Sequence, residues 1–188
     1  MVSKGEFHNY CKGKRIVILG NSKILLKEKK GEFVDNHDIV LRMNMGYPET
    51  RYQEFIGKRT DVWSAAMHSR RVQEYYHYCF IDRKYTLWPW YDKSRMVEEL
   101  KDNVYCFSKE HYQTVSKECG SILSSGCNIL AYFIRNIKYK TLVIMGFDFF
   151  QTPNFNRMRI VKAQHESDKE EIFITNLVNS VSNVEWIK

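Results

Sequence analysis

The chain has few of the residues that break or staple structure. Three prolines and nine glycines in 188 residues leave no stretch with the composition of a disordered linker. The five cysteines (Cys11, Cys79, Cys106, Cys119, Cys127) are scattered and odd in number, with no C-x-x-C spacing. That pattern argues against a disulfide scaffold and a zinc site and makes reduced thiols the expectation. The start, Met1-Val2-Ser3-Lys4-Gly5-Glu6, lacks the apolar centre of a signal peptide. No apolar run of roughly 18 residues follows that could cross a bilayer. The expectation is a soluble, cytoplasmic protein without a membrane partner. Also missing are a G-x-G-x-x-G fingerprint and a D-x-D pair that would hold a divalent ion.

What is present fits one domain, 1–188, with a full hydrophobic core: 44% hydrophobic and 27% charged residues. The formal net charge of +7 favours polyanionic partners such as nucleotide phosphates or nucleic acid. Its spread along the chain reads equally as a solvated basic surface.

Short β-branched runs closed by turn residues predict strands at Arg15-Ile-Val-Ile-Leu19, Asp38-Ile-Val-Leu-Arg-Met43, Arg59-Thr-Asp-Val-Trp63, Tyr85-Thr-Leu-Trp88, Asn103-Val-Tyr-Cys-Phe107, Thr141-Leu-Val-Ile-Met145 and Val184-Glu-Trp-Ile187. Helical spacing predicts helices over 69–78, 94–101, Gly126 to about Ile137 behind a Ser124-Ser125 cap, and Glu166 to Val178. Strands alternating with helices give an α/β fold: a Rossmann-like, mainly parallel sheet with helices on both faces. Ligands in such sheets sit at the carboxyl ends of the strands, so the polar residues there are the candidates.

Gly20-Asn21-Ser22 closes the first strand: glycine admits a phosphate close to the backbone, and Asn and Ser can hydrogen-bond a phosphate or ribose. Taken alone, it reads as a plain β-turn. Arg42 and Asn44 share one side of the second strand and suit a sugar phosphate, or a surface salt bridge to Asp38 or Glu49. Ser124-Ser125-Gly126 precedes a helix whose free N–H groups can bind an anion or be satisfied by simple capping. Asp148 follows the sixth strand. His165, between a basic segment and an acidic helix start, could take a proton from a hydroxyl or cap the helix.

Together these pieces resemble the sialyltransferase families, animal-type and bacterial. Ile18-Leu-Gly-Asn21, Val34-Asp-Asn-His-Asp-Ile-Val-Leu-Arg-Met-Asn44 and Gly57-Lys-Arg-Thr60 are similar to the long sialylmotif. Leu123-Ser-Ser-Gly126 through Val143-Ile-Met-Gly-Phe147 is similar to the short one, and His165 with Glu170 matches the H-x4-E element. The resemblance implies a GT-A-like sialyltransferase variant fold and inverting, metal-independent transfer from a CMP-activated sugar, with no cofactor. It implies donor binding by Gly20, Asn21, Ser22, Arg42, Asn44, Ser124, Ser125, Gly126 and Asp148, and His165 as the catalytic base. Ile16 and Ile137 stand where the animal enzymes carry bridging cysteines, and Phe150 where bacterial members place a phosphate-contacting tyrosine. The short chain implies an acceptor-side lid reduced to 63–112 and 150–164.

Two acceptors are open. One is a hydroxymethylated pyrimidine in DNA, as in phage DNA glycosylation in the host cytoplasm, favoured by charge, size and rings such as Trp88, Trp90 and Tyr91. The other is a glycan, the family default. A non-catalytic nucleotide or nucleic-acid binding module is the alternative from another class.

Overall fold

The computed structural model describes residues 2–66, 74, 77–94, 96, 104–156 and 166–188. Its centre is a seven-stranded sheet, every pairing parallel, with strands β1 (Arg15–Leu19), β2 (Ile39–Met43), β3 (Val62–Ser64), β4 (Tyr85–Trp88), β5 (Tyr105–Cys106), β6 (Thr141–Met145) and β7 (Val184–Ile187). The spatial order is β5-β4-β3-β2-β1-β6-β7. The chain grows outward from β1 in one direction through β5 and then returns to the other side of β1 with β6. The order therefore reverses beside β1, which is where an open parallel sheet offers a crevice.

β1 and β2 lie between two apolar layers, which is why they read as unbroken runs instead of alternating ones. Alternation splits β1: Ile16 and Ile18 enter one core cluster and Val17 and Leu19 the other. Onto the first face pack α1 (Lys4–Cys11), through Phe7 and Cys11, with α4 (Lys109–Cys119), α5 (Ser125–Asn136) and α6 (Ser167–Asn179). The second face takes α2 (Gly31–Asp35) through Val34 and α3 (Gln53–Ile56) through Ile56. Helix α5 is buried from Cys127 to Ile134, so its axis and its first turn are fixed by the core.

The expected α/β fold with helices on both faces is present. Helices expected over 69–78 and 94–101 lie largely outside the described residues. Within 63–112 lie most of β3, all of β4 and β5, and the start of α4. One expectation is corrected. Trp88 is not an exposed ring: it is 3% exposed and donates its Nε1–H to the carbonyl of Asp92 at 3.0 Å.

Much of the stretch around β2 braces the sheet. Asp38 accepts from Arg15 N at 2.8 Å and from Arg15 Nη2 at 3.1 Å, tying the starts of β1 and β2. Side-chain and backbone hydrogen bonds from Arg15 hold its carboxyl down to about 2. Its folded value lies below the unfolded one, so its stabilising contribution is complete above the unfolded value and fades as pH falls toward about 2. The expected outcome is that Asp38→Asn flattens the acid limb of the stability curve in that window, read by urea denaturation at stepped pH.

Candidate donor-binding site

A cleft of about 370 Å³ opens at the carboxyl ends of β1, β2 and β6, at the reversal of strand order. Its walls come from Gly20-Asn21-Ser22, from Met43 and Asn44, from 124–127 and from 146–150, with Thr152 and Asn154 closing one side.

Close backbone packing shapes the floor. A Cβ on Gly20 would stand 2.2 Å from the Gly146 carbonyl oxygen and 3.1 Å from the Phe147 ring. The same ring lies 3.1 Å from where a Cβ on Gly126 would be. Phe147 is thus seated between two glycines from different walls, and neither position has room for a side chain without a shift. Asn44, Phe149 and Phe150 all have φ in the left-handed region, at 49°, 49° and 67°. This cluster of unfavourable backbone around one cleft marks a surface shaped for a purpose other than stability.

Asn21 and Asn44 both reach the cleft. The Asn21 amide donates Nδ2 to the Met43 carbonyl at 3.0 Å, while its Oδ1 is buried with no hydrogen-bond partner among the described residues. Asn44 is held by Trp63 Nε1 donating to its carbonyl at 2.6 Å and by Ala66 N donating to its Oδ1 at 3.3 Å.

The start of α5 forms the opposite wall. Ser124 caps the helix, its Oγ accepting from Cys127 N at 3.1 Å. Fully buried Glu170 on α6 fixes that cap, accepting from Ser124 N at 2.5 Å and from Ser124 Oγ at 2.6 Å. Ser125 and Gly126 are left with peptide N–H groups that have no acceptor among the described residues. Two such donors at the positive end of a buried helix have the chemistry to bind an anion. Glu170→Ala would strip the acceptors from a buried N–H and hydroxyl, at a cost of about 2–3 kcal/mol. Urea denaturation checks this, with the loss expected in the midpoint and not in the slope.

Not every expected donor-binding residue faces the cleft. Arg42 is corrected: 1% exposed, it points into the sheet's flank and lines no part of the cleft. Its Nε donates to Arg59 O at 2.9 Å and Thr60 Oγ1 at 3.0 Å, and its Nη2 to Ile56 O at 2.8 Å and Gly57 O at 3.0 Å. Burial pushes its pKa down to about 9, still charged at neutral pH. Neither salt bridge considered for it forms, since Asp38 pairs with Arg15 and Glu49 with Arg51. Ser22 and Asp148 border the cleft but are engaged with each other. Asp148 Oδ2 accepts from Ser22 Oγ at 2.8 Å and from Thr152 N at 2.9 Å, pinning the loop after β6 to the end of β1. His165 lies outside the described residues.

Thr152, Asn154 and Phe147 were not foreseen as lining residues. They follow β6, and the polar run Gln151-Thr152-Pro153-Asn154 beyond a strand end was the available signal.

The fold is thus an open, all-parallel α/β sheet with a cleft at its strand-order reversal, the place where such sheets take ligands. The model of "Glycosyltransferase family 29 (sialyltransferase)" matches residues 6–125, most of the chain, and the chain belongs to that family. It is 39% identical over 56 residues to the type 2 lactosamine alpha-2,3-sialyltransferases of Homo sapiens and Pan troglodytes. That match covers 29% of this chain and only 16% of those relatives. A solved mammalian sialyltransferase in complex with Gal-beta-1-3GalNAc-ortho-nitrophenol shares the fold at TM-score 0.70 and 15% identity, covering all of this chain and 74% of that one. A second mammalian sialyltransferase structure aligns at TM-score 0.66, with 15% identity over 94% of this chain and 69% of that one.

Proposed function

We propose that the chain is an inverting glycosyltransferase that takes a sugar from a CMP-activated donor and delivers it to a hydroxyl of a glycan acceptor. The observation that carries the reading is the start of α5, where Ser125 and Gly126 line a cleft at the strand-order reversal and their N–H groups have no acceptor among the described residues. A monophosphate leaving group carries less charge than a diphosphate. Two peptide donors and a helix dipole suit it without a metal ion to share the load. Among the described residues no group of three His, Cys, Asp or Glu side chains is placed to hold one.

In this reading Asn21 and Asn44 fix the ribose and phosphate, and Gly20 and Gly126 let the donor approach the backbone. His165 acts as the base: its neutral imidazole takes the proton from the acceptor hydroxyl as that oxygen bonds to the anomeric carbon and CMP departs from the opposite face. Support for His165 comes from its neighbour in sequence, Glu170, whose carboxylate is anchored on Ser124 at the cleft wall. Four residues lie between the two in sequence.

A glycan is favoured over DNA because the relatives are named for type 2 lactosamine and the solved complex holds Gal-beta-1-3GalNAc-ortho-nitrophenol. The ring evidence for a base pocket is also reduced now that Trp88 is buried. The test offers CMP-sialic acid with a galactose-terminated glycan or with hydroxymethylcytosine-containing duplex DNA, read by mass. Sugar added to the glycan is the expected result. Modified DNA, with activity falling steeply as salt rises, would move the acceptor to nucleic acid.

A further inference from the structure

Gly46 is buried and does not line the cleft, yet the side chain it lacks bears on a residue that does. It closes the turn after β2, donating its N–H to the Met43 carbonyl at 2.9 Å. The same carbonyl accepts from Asn21 Nδ2 at 3.0 Å. A carbonyl only accepts, so the nitrogen of the Asn21 amide must face Met43. Its Oδ1 is then the end turned toward Gly46. A Cβ on Gly46 would fall inside contact distance of that Oδ1, 3.3 Å from Asn21 Cγ and 3.0 Å from the Met43 carbonyl oxygen.

We propose that Gly46 is a positioning residue of the donor site: the space left by its missing side chain is what lets Asn21 hold its amide at the cleft wall. The proposal rests on the CMP-donor reading above.

Backbone conformation gives no reason for glycine here. The glycines with positive φ are Gly13, Gly57, Gly120 and Gly146, and Gly46 is not one of them. The conflict with alanine is therefore spatial, and it falls on the Asn21 side chain first. The main chain on both sides is tied down. Asn21 O accepts from Phe155 N at 2.9 Å, and Ser22 N donates to Gly146 O at 3.1 Å. Across from them, the Met45 carbonyl accepts from Asn156 Nδ2. What can give way is the Asn21 amide. Turning it breaks its bond to Met43 and withdraws it from the wall it shares with Asn44.

The test compares wild type, Gly46→Ala, Asn21→Ala and the double variant by calorimetric CMP titration, steady-state kinetics and urea denaturation. Gly46→Ala is expected to weaken CMP about tenfold, the loss of one hydrogen bond. The donor KM should rise with kcat little changed, because the contact is made in the ground state and the transition state alike. In the Asn21→Ala background the same substitution should change CMP affinity by less than about twofold, since the amide it would push is gone. The urea midpoint should follow the same pattern, falling for Gly46→Ala beside Asn21 and much less beside alanine. Wild-type CMP affinity in Gly46→Ala would overturn the proposal. So would equal losses in both backgrounds, which would make Gly46 a packing residue unconnected with Asn21. A wild type that binds no CMP, with the coupling in the midpoints intact, would overturn the donor reading and leave the Gly46–Asn21 contact standing.

Discussion

Replacing His165 by alanine is expected to lower turnover by about 10²–10⁴-fold, the range general-base catalysis contributes, while CMP affinity stays unchanged. The split follows from where the groups sit. The proposed CMP contacts come from the ends of β1 and β2 and from the first turn of α5, all rigid elements that do not include His165. A base acting only on the acceptor hydroxyl contributes to the transition state and not to donor binding, so kcat falls and the affinity for CMP does not. The measurement is steady-state CMP release in the presence of acceptor, paired with calorimetric CMP titration. Wild-type turnover in the variant would remove His165 from the chemistry. Joint loss of turnover and CMP binding would make it a structural residue of the donor site.

The second large effect concerns stability. Arg42→Ala is expected to cost about 3 kcal/mol or more, because it leaves the carbonyls of Ile56, Gly57 and Arg59 and the Thr60 hydroxyl without their donor in a buried place. Arg42→Lys should recover only part of that loss, since an ammonium offers no planar fork to reach acceptors on two sides. Chemical denaturation of the three proteins gives the comparison. A loss under about 0.5 kcal/mol for Arg42→Ala, as at an ordinary surface site, would mean that the guanidinium is not what holds the loop after α3.

That result would also divide the motif in which Arg42 sits. Asp35 accepts from the backbone N–H groups of Lys58 and Arg59, Arg42 collects the carbonyls of the same loop, and Asp38 clamps Arg15. These residues brace the sheet around β2. Asn21 and Asn44, by contrast, reach the cleft. One sequence motif thus serves two tasks, with the charged residues holding the frame and the asparagines lining the cleft.

The strands were legible where burial on both faces makes a continuous apolar run. β1, β4 and β6 fall on the expected residues, as does the half-exposed edge strand β7 with its alternating Val-Glu-Trp-Ile, and the position of the cleft followed from the turn residues beyond β1 and β2. β3 lies further along than expected, because Arg59, Thr60 and Asp61 are spent on loop hydrogen bonds before pairing begins at Val62. α1 and α4 were missed for lack of a strong apolar stripe: each buries only two residues. For α4 the end signals were nevertheless there, Ser108 capping one end and Gly120 the other. Arg42 was misread for a different reason. Alternation says which side of a strand a residue takes, but not whether a ligand or a neighbouring loop waits there. The pairing with Gly57-Lys-Arg-Thr60 depends on α3 returning the chain to β2, which no local pattern encodes. Ser22 and Asp148, 126 residues apart, were both read as donor contacts; only the fold brings them together.

Release of nucleotide from CMP-, UDP- and GDP-sugars, followed by mass, tests the donor assignment most directly. Two peptide N–H groups at the start of α5 predict CMP release and little from the diphosphate donors. A preference for UDP- or GDP-sugars would contradict it.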